Sequence, residues 1–271
     1  LEQPLASRSE NVNPFNMIEF VGRIVMTPAT DNWTRTVIIP GGERRQTGNT
    51  ARTFTEDILI SSEPDTFMRS RNVQFQAGGL RPVSRFYPFM DGIAGIDVIP
   101  KLIEVSMVSG TFNVGENVEG FVGSEKLITF RTAQPNHKDG PYNNPEVTYN
   151  ANPYNTSEQL TTQYSASGTV VNVDTRSLSN NAQGTYFGYI TTGMSLVGAD
   201  SGATATVTDV RLITDTFGDL IGSFFIRDPN TNPPPTVRIK AGDRTFRVTT
   251  SESDAEQLPG SLLISHGEGR Y

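Results

Sequence analysis

The chain has no cysteine, two histidines and one tryptophan in 271 residues. The missing cysteine excludes a disulfide framework, a thiolate nucleophile, an iron–sulfur cluster and a Cys-ligated zinc site. His137 and His266 are too few for a His-rich metal site. Charge is sparse: 19% of residues are charged, against about 25% in an average domain. With 22 basic and 29 acidic residues the net charge is −7. That argues against a general nucleic-acid binder, which needs a basic face. No apolar run approaches the ~18 residues of a membrane span. The opening Leu1-Glu2-Gln3-Pro4 lacks the basic start and apolar run of a signal peptide, and it lacks an initiator Met. A piece of a longer or processed chain is expected.

What fills the gap is Gly (25), Pro (17), Thr, Asn and Ser. Branched side chains fit a pleated surface, and Gly and Asn fit its turns, so the composition points to β structure. Period-two alternation marks strands at 18–27, 72–77 and 84–90. Further strand signals lie at 54–60, 101–108, 127–131, 169–174, 201–210 and 224–226. Thr236–Lys240 and Thr245–Thr249 flank Ala241-Gly242-Asp243 and read as a hairpin. Ser251 to Leu258 reads as a short helix, N-capped by Ser251 and ended by Pro259-Gly260. The expected fold is mainly β, with two or three small sandwich- or barrel-like units joined by extended Pro/Asn-rich segments and little helix.

The expected division has five parts. Residues 1–65 form an extended N-terminal docking segment with short strands. Residues 66–132 form a β-sandwich-like unit, and 133–167 a Pro/Asn/Tyr-rich linker loop. Residues 168–250 form a second β unit, and 251–271 a C-terminal tail. An internal echo links Ser109–Arg131 to Gly193–Ile213: each runs through Val-Gly and a later Gly to Leu-Ile. It reads either as one small unit used twice or as a chance likeness of Gly-rich hairpins.

Few residues suggest chemistry. His137 stands near Asp139, but no second His, Cys or G-x-S-x-G elbow accompanies it. Asp228-x-Asn230-x-Asn232 starts like a calcium loop. Pro233 replaces the required Gly, and Ile239 stands where Glu belongs, so a turn is the better reading. Scattered carboxylates leave glycan hydrolysis open without marking a pair. No catalytic residue, cofactor or metal ligand is assigned. Arg69, Arg71, Arg81 and Arg85 stand close in sequence to Phe86 and Tyr87. They read either as a basic cluster for an acidic partner or as solvated strand ends. Trp33, Arg69, Arg71, Phe86, Tyr87, Tyr142 and Tyr154 are the expected interface anchors.

Several motifs occur in an order that resembles one family. Ser9-Glu10-Asn11-Val12-Asn13-Pro14-Phe15 is followed by Thr27-Pro28-Ala29-Thr30-Asp31-Asn32-Trp33. Phe67-Met68-Arg69-Ser70-Arg71 precedes Gly79-Leu80-Arg81-Pro82 and Phe89-Met90-Asp91-Gly92. Ala133-Gln134-Pro135-Asn136-His137-Lys138 and Leu220-Ile221-Gly222-Ser223-Phe224 come later. Together these resemble large virion structural proteins of contractile-tailed phages, notably cyanophage myoviruses. The resemblance implies a non-enzymatic tail, baseplate or tail-fibre component located in the virion. Its implied partners are other tail proteins and copies of itself, with no nucleic acid and no membrane span. The alternatives are a glycan- or receptor-binding adhesin module and, further off, a tail-spike glycan hydrolase.

Overall fold

The computed structural model of the chain describes residues 20–31, 66–133, 170–180, 187–215, 217–231, 235, 237–254 and 264–271. Trp33, His137, Tyr142, Tyr154, the 54–60 strand and most of the 251–258 helix lie outside them. Residues 251–254 form a turn.

The described strands are β1 (Val21–Thr27), β2 (Arg71–Gly78), β3 (Arg85–Met90), β4 (Asp97–Pro100), β5 (Leu102–Ser109), β6 (Asn117–Val122) and β7 (Glu125–Arg131). Then come β8 (Val170–Asn172), the short helix α1 (Thr175–Asn180), β9 (Ser195–Gly198) and β10 (Thr204–Asp209). Last are β11 (Leu212–Ile213), β12 (Leu220–Ile226), β13 (Thr245–Thr249) and β14 (His266–Arg270). The protein is mainly β, with two curled, barrel-like sheets.

The first sheet has eight strands in the order β11-β3-β13-β14-β1-β2-β12-β4, and the second has six in the order β7-β6-β9-β10-β5-β8. Each sheet draws strands from both sequence segments, 66–132 and 168–250, so these are not two separate sheets. The second sheet lies wholly between Leu102 and Asp209. It is an insertion in the first, which is built from 21–100 and 212–270. The segment 251–271 likewise supplies β14, which sits inside the first sheet between β13 and β1. The expected hairpin over 236–249 does not form. β13 pairs with β14 on one side and β3 on the other, which leaves no free edge for 236–240. Lys240 instead bridges Phe67.

Alternation explains how the first sheet curls. On β1, Gly22, Ile24 and Met26 face inward and Val21, Arg23 and Val25 face solvent. On β2, Val73, Phe75 and Ala77 face the same interior. Phe224 stacks on Phe246 at 4.5 Å between centroids, and Phe75 meets Phe246 at 4.9 Å. Leu80 plugs one end: a Cβ on Gly22 would crowd its side chain and fall 2.9 Å from the Gly78 carbonyl oxygen, so the position favours glycine. The second sheet wraps its own core of Ile103, Phe112, Val118, Phe130, Leu196 and neighbours. It curls until its edge strands meet. Thr132 bridges Val173, with Ala133 N–H donating to Asn172 O (2.9 Å) and Asp174 N–H to Arg131 O (2.8 Å).

The two barrels share a polar joint on the outer faces of β2 and β12. Asn72 is fully buried; its Nδ2 donates to Gly188 O and its Oδ1 accepts from Gly188 N–H, both at 2.9 Å. Gln74 Nε2 donates to Thr175 Oγ1 at 3.0 Å. Such groups persist in an interior only when their hydrogen bonds are made. Here they fix how one barrel sits on the other.

Candidate functional site

Arg69 and Arg71 converge on one carboxylate. Arg69 donates from Nε to Asp31 Oδ2 and from Nη2 to Oδ1, both at 3.0 Å. Arg71 Nη1 lies 2.6 Å from Asp31 Oδ1. β1 and β2 are antiparallel neighbours, so Asp31, just past β1, comes back beside Arg69 and Arg71 at the start of β2. Burial is the largest single influence on Asp31 and opposes its charge. The hydrogen bonds and charges of the two arginines together outweigh it and hold the carboxyl below its usual value. Burial, with the nearby Asp31 charge, pushes the Tyr271 hydroxyl up to about 12. The Tyr271 hydroxyl is buried and has no hydrogen-bond partner among the described residues. These two arginines tie the residues before and after segment 32–65 to each other.

The segment 134–169 has a matching root. Arg131 donates to Asp174 Oδ2 from Nη2 (2.7 Å) and Nε (3.2 Å). Asp174 is also the N-cap of α1, accepting from Ser177 N–H at 3.0 Å through Oδ1. The sequence carries its signal, an Asp three residues before Ser177, but the helix is six residues long and shows no apolar period.

The other anchors separate. Phe86 is a correction: it is 2% exposed and belongs to the first core, because β3 turns its even positions inward. The basic cluster does not form either. Arg69 and Arg71 stand at one end of β2, and Arg81 and Arg85 lie beyond the other, roughly 25 Å away at the strand's ~3.3 Å rise. Tyr87 lies on the outer face, half-buried, under the Arg85 guanidinium (5.0 Å to the ring). Its hydroxyl donates to Glu252 Oε1 at 2.6 Å, and that bond is the main reason its pKa is raised.

Glu116 was not singled out by sequence. Its side chain sits in a residue 2% exposed, and it accepts from the N–H groups of Asn113 (2.7 Å), Asp200 (3.0 Å) and Ser201 (2.8 Å) and from Ser201 Oγ (2.7 Å). The carboxylate thus ties the turn after β9 to the loop before β6. The two halves of the internal echo differ in structure: Val114-Gly115 lies in the turn before β6, whereas Val197-Gly198 ends β9, the strand that pairs with β6. The ends of the echo diverge as well: Leu127-Ile128 lies in the second sheet and Leu212-Ile213 forms β11 of the first.

Other groups serve turns and joints. Asp228 Oδ1 accepts from Asn230 N–H (2.8 Å) and Nδ2 (2.9 Å), an Asx turn; Asn232 lies outside the described residues. His266 opens β14. Asp97 borders a cavity of about 100 Å³ beside Arg227 (3.3 Å), whose guanidinium covers Tyr189 at 4.4 Å. Burial raises the Asp97 pKa, and Arg227 offsets this only in part. Among the described residues no group of three or more His, Cys, Asp or Glu is placed to hold a metal. No described helix is long and apolar enough to cross a membrane. Searches of protein-family models, curated proteins and solved structures find no match to this chain.

Proposed function

We propose that the chain is a structural component of a contractile phage tail, in the baseplate or at a fibre attachment, acting by assembly and not by turnover. The sequence motifs that resemble virion proteins motivate this reading. One structural observation carries it: two long segments, 32–65 and 134–169, both begin and end at ion-paired points on a β frame. Trp33, Tyr142 and Tyr154 fall in those segments. Aromatic residues are enriched in the cores of interfaces, so these are the proposed contacts to neighbouring tail proteins and to further copies of the chain.

Immunogold electron microscopy of intact virions, with antibody raised to this chain, tests the proposal. Gold at the baseplate or fibre root is the expected result. Gold at fibre tips would move the reading to receptor binding. Virions without label, with the protein abundant in the lysate, would overturn it.

A further inference from the structure

The arginines split off from Asp31 have a setting of their own. Two loops at one end of the first barrel, 79–84 and 214–219, are fastened to each other. Leu80 N–H donates to Gly218 O (3.1 Å), Val83 N–H to Asp215 O (3.1 Å), and Thr214 N–H to Ser84 O (3.1 Å). Ser84 N–H donates to Thr214 Oγ1 (3.0 Å), which itself donates to Arg81 O (2.6 Å). On this platform Arg81, Val83 and Arg85 all face solvent, while Phe86 enters the core. Val83 is 49% exposed, and Phe217, two residues past the Asp215 that Val83 bonds, is 68% exposed.

Two features mark the platform. Val83 has φ of 45°, a left-handed conformation that strains a β-branched side chain. Its exposed side chain does nothing for the core that Asn or Gly would not do with less strain. Among the described residues Arg81 and Arg85, like Arg23, Arg238 and Arg270, have no ion-pair partner, and here the two stand two residues to either side of Val83. Arg69, Arg71, Arg131, Arg211, Arg227, Arg244 and Arg247 each have one. The nearby carboxylates are engaged: Asp215 Oδ1 accepts from the N–H groups of Phe217 and Asp219, and Glu252 accepts from Tyr87.

We propose that Arg81, Val83, Arg85 and Phe217 form a docking surface for an acidic protein segment, one with an apolar side chain between its carboxylates. The two guanidiniums supply the charge complement, and Val83 and Phe217 the apolar contact. A nucleic acid fits less well, since two cations are few and a phosphate backbone offers nothing to Val83. The inference stands apart from the tail reading, because it needs no particular location of the protein.

The test is an NMR titration of the full isotope-labelled chain with the peptide EDLDE. Oligothymidylate and the peptide KKLKK serve as controls. The expected result is that EDLDE alone shifts the resonances of 81–85 and 217. R81E/R85E should weaken binding at least about tenfold. Val83→Asn should also weaken it while raising the melting temperature by about 2 °C, since it removes strain and contact together. Absent shifts, shifts centred elsewhere, or an equal response to oligothymidylate would overturn the proposal. So would a Val83→Asn chain that binds as tightly as the parent.

Discussion

The residues that flank segments 32–65 and 134–169 are fastened by different means. At 32–65 the fastening described is made by side chains: one carboxylate, 15% exposed, held by two arginines. At 134–169 it is made by backbone and side chain together. Backbone hydrogen bonds join β7 to β8, and a carboxylate 2% exposed both pairs with Arg131 and caps α1. The second root also closes a barrel, whereas the first lies at the end of β1, a strand already bordered by β2 and β14. A fastening can therefore be local at the first root but must be architectural at the second.

The largest expected effect of breaking this contrast is at Asp174. Asp174→Ala removes the buried carboxylate that Arg131 pairs with and the cap of α1, and should cost about 3–4 kcal/mol. Thermal melts of the variant measure it, and Asp174→Asn should recover part through the cap. Glu116→Ala comes next. Three backbone N–H groups and a hydroxyl lose their buried acceptor, for a cost of about 2–4 kcal/mol by chemical denaturation. Asp31→Ala should cost less, about 1–2 kcal/mol, because its pair is partly open to solvent.

Acid sharpens the comparison. The folded pKa of Asp31 lies below its ordinary 3.8. Its contribution is full above 3.8 and is lost as pH falls through the lower folded value. Asp31→Asn should therefore flatten the stability profile below about pH 4. Asp97 has the opposite sign. Its folded pKa is raised, so its contribution is full below 3.8 and lost as pH rises through the folded value. Asp97→Asn should give a small rise in melting temperature at pH 7 that vanishes at pH 3. An arginine neighbour alone does not set the direction: two close arginines overcome burial at Asp31, and one at 3.3 Å does not at Asp97.

Strand existence was legible wherever alternation was clean, as in Gly22-Ile24-Met26 against Arg23 and Val25, or Val73-Phe75-Ala77 against Asn72-Gln74-Gln76. Pairing was not. Asn72 and Gln74 alternate with the core residues of β2, yet they form the buried joint between barrels. β14 was hidden because Gly267 and Gly269 blank the inward positions of its pattern. A Cβ at Gly269 would lie 2.9 Å from Ile24 O, so the close parallel approach to β1 requires glycine. The hairpin over 236–249 failed because local alternation cannot show that β13 is claimed on both edges. Of the expected anchors, Arg69 and Arg71 were found as a pair but without Asp31, which stands 38 residues earlier. Phe86 was misplaced because an aromatic next to Arg85 looks the same in sequence whether it faces in or out.

The central claim is that the two barrels form a frame that holds the roots of both segments and stands without the chain between them. Replacing 135–168 by a four-residue Gly-Asn turn tests it most directly. Closing a shorter loop should stabilise the chain by about 2 kcal/mol. The expected result is an unchanged β circular-dichroism spectrum and a melting temperature at or above the parent's. A spectrum that loses its β signal, or a melt well below the parent's, would show that 134–169 is part of the frame and contradict the claim.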